Sequence, residues 1–90
     1  MNLTLNLKKE YFEAIKNGTK IEEYRLYNNY WNKRLDGKTF DNIIIKMGYP
    51  KNTDLDKILV FPWNGYIIKN IKHKHFGNKT VKVYAIQIYK

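Results

Sequence analysis

Lys20, Glu23 and Arg25 fall within one short stretch, "NGTKIEEYR" (Asn17 to Arg25), and are the side chains of this chain best equipped for chemistry. An arginine presents a planar fork suited to carboxylate or phosphate, and a lysine ammonium is a compact donor to an oxyanion. A glutamate between them can hold either cation in place or accept from an amino group. As an acid–base pair, Lys20 and Glu23 could instead move protons. In a regular strand over residues 19–27, Ile21, Glu23, Arg25 and Tyr27 share one face and Lys20, Glu22, Tyr24 and Leu26 the other. Neither face is cleanly apolar, so burying either takes charge inside, which is costly unless the charge is paired. Glu23 and Arg25, two residues apart, can lean on each other. Lys20 lies near the helix–strand corner and can point into a cleft mouth despite its opposite parity. The rival reading is an exposed strand with surface ion pairs, which are individually worth little. Periodicity leaves the two open.

Other residues add to the candidate set. Arg34 is the one arginine besides Arg25 among 17 basic residues. Its fork would stack on a base or grip a phosphate better than lysine, and the alternative is the surface of a helical turn. Tyr49, between Gly48 and Pro50 on a loop, is a candidate for stacking, because loops carry function. Trp31 and Trp63 could stack a base, worth about 1–3 kcal/mol in single-strand binders, or serve as core anchors. His73 and His75 share one face of an expected strand, but no cysteine or nearby carboxylate completes a metal set, so no metal is expected. A phosphate contact or a solvated strand is the simpler reading for them.

The elements that must position these groups come from a chain of 90 residues, the size of one domain with one modest core. At 43% hydrophobic and 16% aromatic residues it is built to fold. It has no cysteine, hence neither disulfides nor thiolate chemistry. No apolar run approaches the ~18 residues of a membrane span, and the first ten residues lack the pattern of a signal peptide. No membrane partner and a cytoplasmic location are therefore the default. The net charge of +9 points to an anionic partner, discounted for a lysine-rich composition of the kind AT-rich genomes produce. Distribution is more telling. Residues 1–56 hold ten basic and eight acidic groups, whereas residues 57–90 hold seven lysines and no acid. Lys69, Lys72, Lys74 and Lys82 are the candidate electrostatic footprint for a nucleic acid.

Leu3, Leu5 and Leu7 alternate with polar residues and predict a half-buried strand. Tyr11, Phe12 and Ile15 form the stripe of a short amphipathic helix ended by Asn17-Gly18. A second strand is expected over Thr19–Tyr27. One or two helical turns near residues 28–35 follow, anchored by Tyr30, Trp31 and Leu35, before a turn at Asp36-Gly37. Ile43-Ile44-Ile45 suits a central strand covered on both faces. "KILVF" is a fourth strand. "YIIKNIKHKHF" is a fifth, and "TVKVYAIQIYK" a sixth that pairs with it as a hairpin. The fold expected is α+β, with five to six strands closing into a small β-barrel.

The motif Gly-x-Lys-x-x-Glu-x-Arg, carried by Gly18, Lys20, Glu23 and Arg25, resembles the signature of ASCH domains, small β-barrels related to the PUA RNA-binding fold. "YFEAIKNG" is similar to the helix those domains place before the signature, and "YWNKRL" and "IIIKMGYPK" resemble a subgroup of very small, phage-encoded members. The resemblance covers most of the chain loosely, and the eight-residue signature is its specific part. It implies a PUA-like barrel whose cleft, lined by the signature, binds RNA or a nucleotide-like ligand; no cofactor is expected. Bacterial N4-acetylcytidine amidohydrolases are similar at Gly18 and Lys20, but carry a threonine nucleophile where this chain has Glu23. A carboxylate cannot replace a hydroxyl that a neighbouring base must activate. The further acid expected late in the chain has no counterpart in residues 57–90. Ribonuclease activity, reported for other ASCH proteins, would call on Lys20, Glu23 and His73 or His75. Three functions thus stand side by side. They are an RNA- or nucleotide-binding module, a small hydrolase of RNA or a modified nucleoside, and a non-catalytic protein that sequesters a nucleotide or docks on an acidic host protein. Oligomeric state is left open.

Overall fold

Leu3, Leu5 and Leu7 all turn inward from β1 (Leu3–Leu7), and the polar residues between them face out, as the alternation predicts. The computed structural model describes residues 1–90, the side chain of His75 excepted; the reading placed on that imidazole lies outside the described residues. After β1 come α1 (Lys9–Lys16), β2 (Glu22–Leu26), α2 (Asn29–Leu35), β3 (Asn42–Met47), β4 (Ile58–Pro62), β5 (Tyr66–Ile71) and β6 (Val81–Gln87). Two short 3-10 turns, Leu55–Lys57 and Lys74–Phe76, precede β4 and β6.

The strands form two three-stranded sheets. In one, β3 lies between a parallel β1 and an antiparallel β4, with Leu5 opposite Ile45 and Ile45 opposite Leu59. In the other, β6 lies between antiparallel β2 and β5, with Tyr24 opposite Ala85 and Ile68 opposite Tyr84. A shared core fills the space between the sheets. Leu5, Ile43, Ile45 and Phe61 come from the first sheet, Tyr84 and Ile86 from the second, and Phe12, Ile15 and Leu35 from the helices. Among the described residues no helix is long and apolar enough to cross a membrane.

The α+β class, the six strands, the helix after β1, the turns near residues 28–35 and the β5–β6 hairpin are all present. Several expectations change. The hydrogen bonding does not close the strands into one barrel; it stops at two sheets. Ile43 and Ile45 are buried but Ile44 is only half-buried, so β3 is covered mainly on one face. The strand enclosed on both faces is β6, where Val83, Tyr84, Ala85 and Ile86 are all buried. Small Ala85 fits there between its cross-strand neighbours Tyr24 and Ile67. "KHKHF" is not strand: β5 ends at Ile71, opposite Val81 at the start of β6, and beyond that point it has no partner. β2 starts at Glu22 rather than Thr19, because the Lys20 N–H is taken by the helix carbonyl of Ala14 at 3.1 Å. Tyr30 is exposed rather than anchored, and Leu35 alone on α2 is fully buried.

Ile45→Ala, at a fully buried position, should cost about 2–5 kcal/mol in urea unfolding. Ile44→Ala, one residue away on the half-exposed face, should cost clearly less.

Candidate functional site

The corner from α1 into β2 sets the geometry. Gly18 has φ +85°, the left-handed conformation that ends a helix at little cost only in glycine. Its N–H donates to Ile15 O at 3.2 Å, and the Thr19 N–H donates to Asn17 Oδ1 at 3.0 Å. The chain thereby enters β2 with Lys20 tucked against the helix and Glu23 aimed at the core.

Glu23 is 6% exposed and is the one buried charged residue among those described. Such a carboxylate needs partners, and two cations supply them. Arg25 Nη1 donates to Glu23 Oε2 and to the Tyr24 carbonyl, the latter at 3.0 Å, and Nη2 reaches Asn6 O on β1 at 3.5 Å. Lys20 Nζ stands 3.6 Å from Glu23 Oε1, an ion pair longer than a hydrogen bond. Its ammonium lies 4.6 Å from the centre of the Tyr24 ring and 5.6 Å from that of Tyr11, held by cation–π attraction. Lys20 makes no side-chain hydrogen bond within the described residues, although its side chain is only 15% exposed. Its N–H donors are left for whatever occupies the space in front of them.

That space is a cleft of about 550 Å³ lined by Lys20, Glu23 and Arg25. Its walls come from β1, β2, α1, α2, the loop at Tyr49 and the segment at His73 and Phe76. One carboxylate between two cations leaves a single positive charge at the centre, and Lys8 adds another at the rim. The walls are aromatic. Trp31 lies beside the Arg25 guanidinium at 5.4 Å, and Tyr30 packs edge-on against Trp31 at 5.1 Å. The His73 ring stands 5.8 Å from Tyr11 and 5.7 Å from Tyr24. A flat ring bearing an anionic group fits these walls chemically.

Glu22, next in sequence to Glu23, belongs to another network. Its carboxylate accepts from Lys69 at 2.8 and 2.9 Å, from Gln87 at 2.8 Å and from the Tyr24 hydroxyl at 3.1 Å. Burial pushes its pKa up, but the bonds from Lys69, Gln87 and Tyr24 outweigh burial and hold the carboxyl below its ordinary range. Burial and the bond to Glu22 raise the Tyr24 phenol, and the same carboxylate raises Lys69. A second hollow of about 430 Å³ lies behind the Lys20 partition, against Glu10, Thr19 and Glu22. There Glu22 and Thr19 are hydrogen-bonded and Glu10 is paired with Lys74 at 3.0 Å, so little is left to offer a ligand.

Of the residues singled out by sequence, Lys20, Glu23, Arg25, Trp31, Tyr49 and His73 line the cleft. Tyr49 is 94% exposed at its mouth. Gly18 acts through its backbone, outside the cleft. Arg34 is not in the lining; its guanidinium covers the Tyr30 ring at 3.5 Å and donates to Tyr30 O at 3.0 Å. Trp63 packs on Phe40 and Tyr66 at the margin of the core. None of Lys69, Lys72, Lys74 and Lys82 lines the cleft. Lys69 and Lys74 are tied to Glu22 and Glu10, Lys82 lies 4.1 Å over the Tyr27 ring, and Lys72 is exposed beside His73. Sequence reasoning missed Tyr11 and Tyr24 as the floor under Lys20. Tyr11 reads as core stripe, but Tyr24 shares the parity of Lys20, which was the available signal. No protein-family model, curated protein or solved structure matches the chain.

Arg25→Ala strips the buried Glu23 carboxylate of its hydrogen-bonded partner and should cost about 3–5 kcal/mol in urea unfolding. Adding Glu23→Gln to that variant should recover part of the loss, measured as a double-mutant cycle. Because Glu22 titrates below its unfolded value of about 4.3, its contribution is complete above that pH. It is lost as pH falls through the lower, folded value. Glu22→Gln should therefore lower the melting temperature at pH 7 and flatten its decline on the acid side.

Proposed function

We propose that the cleft binds RNA or a nucleotide, with Lys20 donating to a phosphate or other oxyanion and the aromatic walls holding the base. The observation that carries this reading is Lys20, whose side chain is 15% exposed and whose ammonium lies over two tyrosine rings without a hydrogen bond to the described residues. An ammonium held at the wall of a cleft with its N–H donors open is placed to meet an acceptor there. The cleft volume of about 550 Å³ lies within the range of small-ligand sites, and the surplus positive charge suits an anion. Arg25 braces the site across its two walls, its guanidinium spent on Glu23, Tyr24 O and Asn6 O. Glu23 is the internal counterion of both cations. A carboxylate placed between two cations is oriented by them rather than toward a substrate, which favours binding over hydrolysis. The Gly-x-Lys-x-x-Glu-x-Arg spacing at a helix–strand corner supports placing this module near the ASCH domains, with the two sheets as an open form of a PUA-like barrel.

Fluorescence anisotropy with fluorescein-labelled octamers of rU and rA tests the reading. Lys20→Met, which keeps the stem and removes the charge, should weaken binding at least about tenfold. Arg34→Ala and Lys82→Ala should stay within about twofold. The salt dependence should follow a slope of about −0.7 per phosphate contacted on a single strand. If neither octamer nor any nucleoside monophosphate binds, the reading is wrong. If acetylated cytidine or the RNA is turned over and Glu23→Gln abolishes turnover, the module is a hydrolase.

A further inference from the structure

The cleft is the gap between two unpaired sheet edges. β1 pairs with β3 alone and β2 with β6 alone, and no backbone hydrogen bond joins β1 to β2 among the described residues. Residues 4–7 and 23–26 line the cleft from its two sides.

Which peptide groups face the gap follows from the ladders. The Ile88 N–H donates to Ile21 O at 2.8 Å and the Tyr27 N–H to Lys82 O at 3.0 Å. Odd-numbered peptides of β2 therefore point at β6, and those of Tyr24 and Leu26 point away from it into the gap. On β1, Gly48 N–H donates to Leu7 O and Asp41 N–H to Met1 O, both at 2.9 Å. Odd-numbered peptides of β1 thus serve β3, and those of Thr4 and Asn6 face the gap. Arg25 confirms the parity, because its backbone partners are the carbonyls of Tyr24 and Asn6, one from each edge.

Resting on the nucleotide reading above, we infer that the edge of the base is read by these outward peptide groups, foremost the N–H and C=O of Leu26. We assign that task to the peptide groups rather than to Glu23, whose Oε2 accepts from Arg25 and whose Oε1 faces the Lys20 ammonium at 3.6 Å, so that its charge is committed to the two cations. An outward strand residue presents a donor and an acceptor side by side, and every nucleobase carries a matching acceptor–donor pair on one edge. Tyr24 O and Asn6 O are already engaged by Arg25, while among the described residues no partner is seen for the outward N–H groups of Tyr24, Leu26, Thr4 and Asn6. A peptide strand could in principle fill the same gap. It would have to displace the Arg25 bridge to Asn6 O that crosses the gap, whereas a single flat ring need not.

Proline tests this directly, since it removes a donor and is tolerated at edge positions whose N–H faces away from the ladder. Leu26→Pro should weaken binding of uridine monophosphate and of the rU octamer about tenfold relative to Leu26→Ala, which also removes the leucine side chain but keeps the N–H. Circular dichroism and the melting temperature report whether Leu26→Pro is folded. Independently of that variant, amide resonances of wild-type protein titrated with uridine monophosphate should move at Leu26 and Tyr24 and stay fixed at the ladder-bonded Arg25. If the nucleotide binds in a Lys20-dependent way and the outward amides of both edges stay fixed, this inference is overturned and the nucleotide site stands. If no nucleotide binds while a poly-glutamate peptide shifts those amides, the inference and the nucleotide reading both fall, and the gap is a strand-addition site.

Discussion

A carboxylate at 6% exposure cannot stand alone, and the partners that Glu23 requires organise the region around it. Arg25 reaches Glu23 along β2 through Nη1 and extends Nη2 to Asn6 O, which ties β2 to the backbone of β1 without joining the two strands. Lys20 must stay close, which is achieved by ending α1 abruptly at Gly18 and giving the next turn back to the helix through Ala14 O. The motif is thus a unit in three dimensions for a physical reason. Two cations and one anion, taken out of water together, leave a surplus charge that only the open side of the cleft can answer.

The adjacent glutamates show how far strand parity separates neighbours. Glu23 turns inward and serves the cleft. Glu22 turns the other way and binds Lys69 of β5 and Gln87 of β6, so one carboxylate spans all three strands of its sheet. The networks meet at Tyr24, whose hydroxyl is held by Glu22 and whose ring lies under Lys20. The sheet's own packing therefore steadies the floor of the cleft.

Much of the architecture was legible in the sequence. Leu3, Leu5 and Leu7 announce a strand by alternation, Phe12 and Ile15 a helix by their spacing, and Asn17-Gly18 its end. What failed depends on partners. "KHKHF" has strand-like composition, but a strand needs a neighbour, and β6 runs out at Val81. The Ile43–Ile45 run suggested two covered faces, yet enclosure went to β6, which composition marks less strongly. At the site, types and spacing brought Lys20, Glu23 and Arg25 into view together. The lysines of the last third looked like a footprint because like charges in sequence suggest one surface. In space, Lys69 and Lys74 find carboxylates from β2 and α1, far away along the chain. The peptide groups of the gap had no sequence signal, since backbone direction is set by the ladder and not by the side chain.

Two strand edges left unpaired also carry a hazard. Rows of open N–H and C=O groups are templates on which another chain can build, the first step toward aggregation. Natural sheets blunt such edges with inward-pointing charge, and Glu23 and Arg25 on β2, with Lys20 just ahead of it, place such charge along the edge that faces β1. The ion cluster that shapes the cleft thus also has the form by which sheets guard an edge against pairing. A change that neutralises the cluster also leaves that edge without its inward charge.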